Sequence, residues 1–200
     1  NYKSFKMDVK RAKDGLEQII GKPVIGYRAP DFSIINSSLW ALEVLSELGF
    51  QYDSSIFPIK HNSYGISNLP TSIQNVILDN GGSILEFPLS TYKFGNLNIP
   101  VSGGGYFRLF PSMLFCYFIK NILRERPFIF YMHPYELDHM EFDYLEFKIP
   151  LLTRIHQSFG RKYFSGKLAI LLKTFKICNF RNIIKNGSKS FPELNISSYK

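Results

Sequence analysis

The first fifty residues change from helical to strand patterning and back with almost no linker between elements, and few folds accommodate that rhythm. Phe5, Val9, Ala12, Leu16 and Ile19 or Ile20 recur at helical spacing against a face of Lys6, Asp8, Lys10, Arg11, Lys13 and Asp14. This spacing predicts an amphipathic helix, stopped by Gly21 and Pro23. Val24 to Tyr27 is a short apolar run that predicts a buried strand, and Phe50 to Asp53 predicts another. Between them, Asn36, Ser37 and Ser38 offer N-caps to a helix with a core face of Leu39, Leu42, Leu45 and Leu48, ended by Gly49. Helix, strand, helix, strand with short connectors is the pattern of an α/β fold with a parallel sheet or barrel. Chemistry in such folds gathers at the C-terminal ends of strands, where Arg28 and Asp53 fall.

Further along, residues 60–80 read as a long loop, Ile84 to Phe87 as a strand closed by Pro88, and residues 102–108 as a glycine-rich turn. Pro111 suits the first turn of a helix running to about Arg124. Phe128 to Met132 predicts a strand with His133 at its end, and Ser165 to Phe175 predicts a helix. The pattern changes after Asp138, which sets a boundary near 145: a main unit over 1–145 and a basic extension over 146–200.

A length of 200 residues with 45% hydrophobic content suffices for a globular core. The net charge of +8 suits an anionic partner, with a solvated surface as the competing explanation. Basic residues concentrate in the last fifty positions, at Arg161, Lys162, Lys167, Lys173, Lys176, Arg181, Lys185 and Lys189. Nucleic acid is not expected as a partner, and association with a membrane surface stays open. Cys116 lies within an apolar run, so the two cysteines do not suggest a disulfide framework.

Arg28, Asp53 and His133 each follow a short predicted strand, and parallel geometry would bring them to one mouth. Histidine can pass a proton to a leaving group, and arginine can hold a carboxylate in a bidentate pair. The alternative is a core histidine capped by backbone and an arginine in a structural ion pair. His133 is followed by Glu136 and Asp138, but the spacing matches no common ligand set. His61, His139 and His156 read as solvated. Gly103, Gly104 and Gly105 lack the Gly-Lys-Ser/Thr ending of a phosphate loop, and instead let the backbone turn sharply or approach a ligand closely, presenting Tyr106.

Four segments carry a resemblance together: Gly26-Tyr27-Arg28-Ala29-Pro30-Asp31-Phe32-Ser33, Tyr52-Asp53-Ser54-Ser55, Gly103-Gly104-Gly105-Tyr106-Phe107-Arg108, and His133-Pro134-Tyr135-Glu136-Leu137-Asp138. In this order they resemble polysaccharide deacetylases with a NodB homology domain, in the branch associated with exosortase-linked exopolysaccharide systems. The resemblance implies a deformed (β/α) barrel, here without its first strands, and removal of N-acetyl or sometimes O-acetyl groups from a polysaccharide with a divalent metal, usually zinc. It implies that Arg28 orients the catalytic base, that His133 is the general acid, and that Asp53 lies behind or along the pocket. Tyr27, Pro30, Gly104, Gly105 and Tyr106 would bind substrate. The base of that family comes from a Thr-Phe-Asp-Asp motif and its histidine ligands from His-x-x-x-His. Neither motif occurs here, so no residue is assigned as a metal ligand. The chain is expected to be the later part of such an enzyme, inactive alone, with a non-catalytic glycan-binding or scaffolding remnant as the alternative.

Overall fold

The computed structural model describes residues 1–61, 64–144, 149–187 and 191–199. Helix α1 (Tyr2–Ile20) is capped by the Asn1 side chain, which accepts from Ser4 N–H, and ends at Gly21 with φ of 62°. It leads to β1 (Gly26–Tyr27), α2 (Trp40–Glu47) and β2 (Tyr52–Asp53). Leu39, Leu42 and Leu45 are buried as their spacing predicts, and Gly49 closes α2 with a positive φ. Then come β3 (Gln74–Ile77), β4 (Ser83–Glu86), β5 (Thr91–Phe94), β6 (Leu97–Pro100), α3 (Gly104–Leu109) and α4 (Ser112–Ile122). Helices α5 (Leu151–Ser158), α6 (Phe164–Thr174) and α7 (Phe180–Gly187) precede a last strand, β7 (Glu193–Asn195).

The result is a mixed α/β fold whose five-stranded sheet has the order β1-β2-β4-β3-β7. β1–β2, β2–β4 and β3–β7 pair in parallel and β3–β4 antiparallel. β5 and β6 form a separate hairpin. One core cluster joins α1 and α2 to the sheet, a second packs α4 and α6 around Phe107 and Phe164, and a third lies around Phe57 and Phe87. α4 is the helix that Pro111 was expected to start, and in it Phe115, Phe118, Ile119 and Ile122 are buried at helical spacing.

Four expectations need correction. The stretch 60–80 is not loop throughout: β3 lies inside it and forms a hairpin with β4 around Gly81, whose φ is 81°. Gly104 and Gly105 open α3 rather than forming a turn. Phe128 to Met132 runs extended but builds no ladder; Gly103 and Tyr131 make a single bridge, and Ile129 N–H goes instead to Ser90 Oγ at 2.8 Å. Leu16, Ile19 and Ile20 are exposed, because α1 packs on α2 through Phe5 and Val9 and its last turns overhang.

The boundary near 145 falls outside the described residues, as does Lys189. On its far side the chain stays in contact with the main sheet: β7 extends it, and Phe164 meets Phe107 edge to face at 5.2 Å. Lys167 Nζ donates to the Phe107, Arg108 and Phe110 carbonyls at 2.9, 3.1 and 2.7 Å, capping α3 with a cation. Lys167→Met should lower stability by about 1–2 kcal/mol in urea denaturation, with no change in secondary structure by circular dichroism.

Among the described residues no helix is long and apolar enough to cross a membrane, and Cys116 and Cys178 are free.

Candidate functional site

The site is built at the C-terminal ends of three neighbouring strands. Register aligns Tyr27 with Asp53 and Asp53 with Glu86, so Arg28, Ser54 and Phe87 form the next row. Ser54 ties that row together. Its carbonyl accepts from Arg28 Nε at 2.8 Å and its hydroxyl accepts from Arg28 Nη2 at 2.7 Å while donating to the Phe87 carbonyl at 2.7 Å. Ser55 Oγ accepts from Ala29 N–H and donates to Asp53 Oδ1, each at 2.7 Å. The Arg-Ala-Pro and Asp-Ser-Ser motifs are therefore one hydrogen-bonded unit.

Arg28 then lines an open cleft of about 440 Å³ with Pro30, Phe32, Tyr64, Tyr131 and His133. Burial draws its pKa below the ordinary guanidinium value, opposed by the negative field of Asp53 and Glu86. Among the described residues no carboxylate lies at ion-pair distance from Arg28, and Nη1 donates to none of them. The rings of Phe32, Tyr131 and Phe180 pack 5.9, 5.9 and 6.0 Å from the guanidinium carbon. Asp31 and Phe32 hold left-handed backbone, φ 54° and 52°, a conformation costing on the order of 1 kcal/mol per non-glycine residue. That strained pair sets the Phe32 ring 4.9 Å from Tyr131 at the cleft wall.

His133 is exposed and lines the same cleft. Its ring stacks on Tyr135 at 5.2 Å and 7° and meets Tyr131 edge-on at 6.1 Å. Its backbone N–H donates to Glu136 Oε2 at 2.9 Å. Glu136 is buried and lies 3.3 Å from Arg108 Nε, an ion pair by distance that lacks hydrogen-bond alignment. Gly104 packs directly against the Glu136 carboxylate, and Gly103 against the Tyr131 ring. The glycine motif and the His-Pro-Tyr-Glu motif thus form a second unit, which sets the position of His133.

Arg28, Pro30 and His133 come together in this cleft. Asp53 does not reach it: it is fully buried behind Ser54. Tyr27 faces a different groove, between α1 and β1, with Phe5, Val9 and Phe50. Gly104 is buried against Glu136, whereas Gly105 and Tyr106 line a neighbouring groove that shares Tyr64 with the cleft. Burial, with help from Tyr64, pushes the Tyr106 hydroxyl up to about 12.

Sequence reasoning missed Glu86, the partner of Asp53. Both are fully buried, and burial followed by the Asp53 charge holds the Glu86 carboxyl well above its ordinary range. Its position at the end of a strand, the criterion that singled out Asp53, was the available signal. These carboxylates do not fit a divalent cation. Ser55 N–H and O–H occupy Asp53, and Ile56 N–H occupies Glu86 Oε1. Among the described residues no three His, Cys, Asp or Glu side chains assemble as a metal site.

No curated protein and no solved structure matches the chain. Residues 54–185 match the family described as Domain of unknown function (DUF3473). That stretch covers more than half of the chain and contains Ser54, Tyr131 and His133, so the chain belongs to the DUF3473 family.

Proposed function

We propose that this chain forms part of a NodB-type polysaccharide deacetylase, its sheet being part of a deformed (β/α) barrel, and that the enzyme to which it contributes hydrolyses N-acetyl or O-acetyl groups on an exopolysaccharide. The observation that carries the reading is the cleft pairing of His133 with an arginine that is fixed by Ser54 on one edge and has no described carboxylate partner on the other. Amide hydrolysis needs a positioned base, stabilisation of the oxyanion and a proton for the departing nitrogen. On this reading Arg28 holds the carboxylate of a base. His133, an exposed imidazole stacked on Tyr135, gives the proton on the same reading. Phe32, Tyr64 and Tyr131 supply faces on which a sugar ring can stack.

The divalent metal of that chemistry finds no ligand set among the described residues, and on this reading its ligands and the base lie outside these 200 residues. The 200-residue chain should therefore release no acetate from acetylated amino-sugar oligomers, with or without zinc; metal-stimulated release would overturn this assignment of parts. In the enzyme that carries the base and ligands, His133→Ala should lower kcat by about 10²–10⁴-fold with glycan affinity retained. Unchanged turnover would remove the acid role of His133. Glycan binding without hydrolysis in that longer protein would favour a binding module instead.

A further inference from the structure

Helix α5 presents an apolar stripe that the described residues leave uncovered. Leu151, Leu152, Ile155 and Phe159 recur on one side of it and are 71, 82, 56 and 57% exposed. Leu152, Ile155 and Phe159 form one wall of a groove of about 810 Å³, with Leu109, itself 59% exposed, and Tyr106 among its other lining residues. Grouped exposure of large aliphatic side chains is unusual on a surface that meets only water.

The charge of the segment that carries this stripe selects the partner. Between residues 149 and 187 the chain has eight Lys and Arg and no Asp or Glu. Arg154 and Arg161 are neutralised by Asp143 and Glu141, and Lys167 is spent on the α3 carbonyls. Lys162, Lys173, Lys176, Arg181 and Lys185 are exposed and pair with no described carboxylate. An apolar helix face set in a cationic segment has the chemistry of an element lying in the interface of an anionic bilayer. A protein partner would need a large acidic and apolar complement, whereas an anionic bilayer supplies both features together.

We infer that the α5 face docks this protein on an anionic lipid surface, with Leu151, Leu152, Ile155 and Phe159 entering the headgroup and acyl boundary. The groove shares Tyr64 with the cleft of Arg28 and His133, so docking would hold that cleft beside the membrane. The inference stands independently of the deacetylase reading, since it concerns binding alone.

Flotation of the chain with vesicles of phosphatidylcholine, alone or with a third phosphatidylglycerol, tests it. Binding should require the anionic lipid and weaken as salt is raised from low to physiological concentration. Leu152→Glu with Ile155→Glu should weaken binding at least tenfold, and because both side chains are exposed the variant should keep the native circular dichroism spectrum and melting temperature. Lys173→Gln with Lys176→Gln should weaken it roughly fivefold or more, from loss of cationic attraction. Three results would overturn the proposal: no binding to the anionic vesicles, binding that the double glutamate variant leaves unchanged, or a concentration-dependent dimer in sedimentation equilibrium that the same variant dissolves, which would assign the face to a second copy.

Discussion

Gly104→Ala should be among the most damaging single-methyl changes in this chain, costing about 3–5 kcal/mol of stability, the range for disrupting a buried ion pair. A Cβ on Gly104 would stand 1.9 Å from Glu136 Oε2 and 2.4 Å from its Cδ. The carboxylate has no room to yield. It is 2% exposed, receives the His133 backbone N–H at 2.9 Å and neutralises Arg108, whose Nη1 is fixed by the Gln157 and Phe159 carbonyls at 2.5 and 3.1 Å. Moving Glu136 would strand a buried cation and release the backbone that carries His133. Gly105→Ala is the control. Its Cβ would meet only Arg108 Nη2, at 4.0 Å, so inside α3 the change should be neutral or stabilising by up to about 1 kcal/mol. Urea denaturation of both variants measures the contrast, and a loss below about 1 kcal/mol for Gly104→Ala would refute the clash. Adding Glu136→Ala to Gly104→Ala should show a coupling of at least about 1 kcal/mol, since the second change removes the obstacle.

The glycine triplet shows where reading from sequence succeeds and where it stops. Three consecutive glycines announce that something comes close, but not what. Here the close neighbours are Tyr131 and Glu136, from a segment some thirty positions away. A helix whose burial follows from local periodicity, such as α2, was legible because a 3.6-residue repeat records a single packing face. β3 was not, since Gln74 and Asn75 place polar side chains in a half-buried strand and hide its alternation. Phe128 to Met132 has the composition of a strand, yet its Ile129 and Tyr131 N–H groups donate to Ser90 Oγ and the Ser102 carbonyl rather than into a ladder. For the site, the rule that polar residues gather at the ends of parallel strands located Arg28, and the fold places it with His133 in one cleft. The rule could not tell a cleft residue from a buried one. Asp53 obeys it as well as Arg28 does, but its side chain turns toward Glu86 in the sheet interior while Arg28 continues over Ser54 into the cleft.

That buried pair should make the protein less stable as pH rises through the neutral range. Asp53 and Glu86 face each other across paired parallel strands, both fully buried. Among the described residues no backbone or side-chain N–H reaches Glu86 Oε2, while the Asp53 and Glu86 side chains hydrogen-bond to each other, which requires a proton on one of the two. Desolvation raises both groups, and the Asp53 charge raises Glu86 further. In the unfolded chain Glu86 ionises near pH 4.3. Above that value the unfolded state has lost a proton that the folded state keeps, so stability falls by about 1.4 kcal/mol per pH unit for that proton. The decline continues until the folded pair ionises, and below about pH 4 the contribution is fully present. Glu86→Gln keeps the shape and fixes the neutral state: its carbonyl can accept from Ile56 N–H and its amide can donate to Asp53. The variant should match the wild type near pH 4.5 and exceed it increasingly as the pH rises, until the folded pair ionises. Denaturation at several pH values decides the matter, and parallel stability profiles for the two proteins would show that the pair holds no extra proton. The same proton sets the field at the candidate site, because one retained proton leaves a single negative charge behind Arg28 in place of two. Loss of that proton at high pH would strengthen the attraction of Arg28 toward the sheet interior and away from any carboxylate in the cleft.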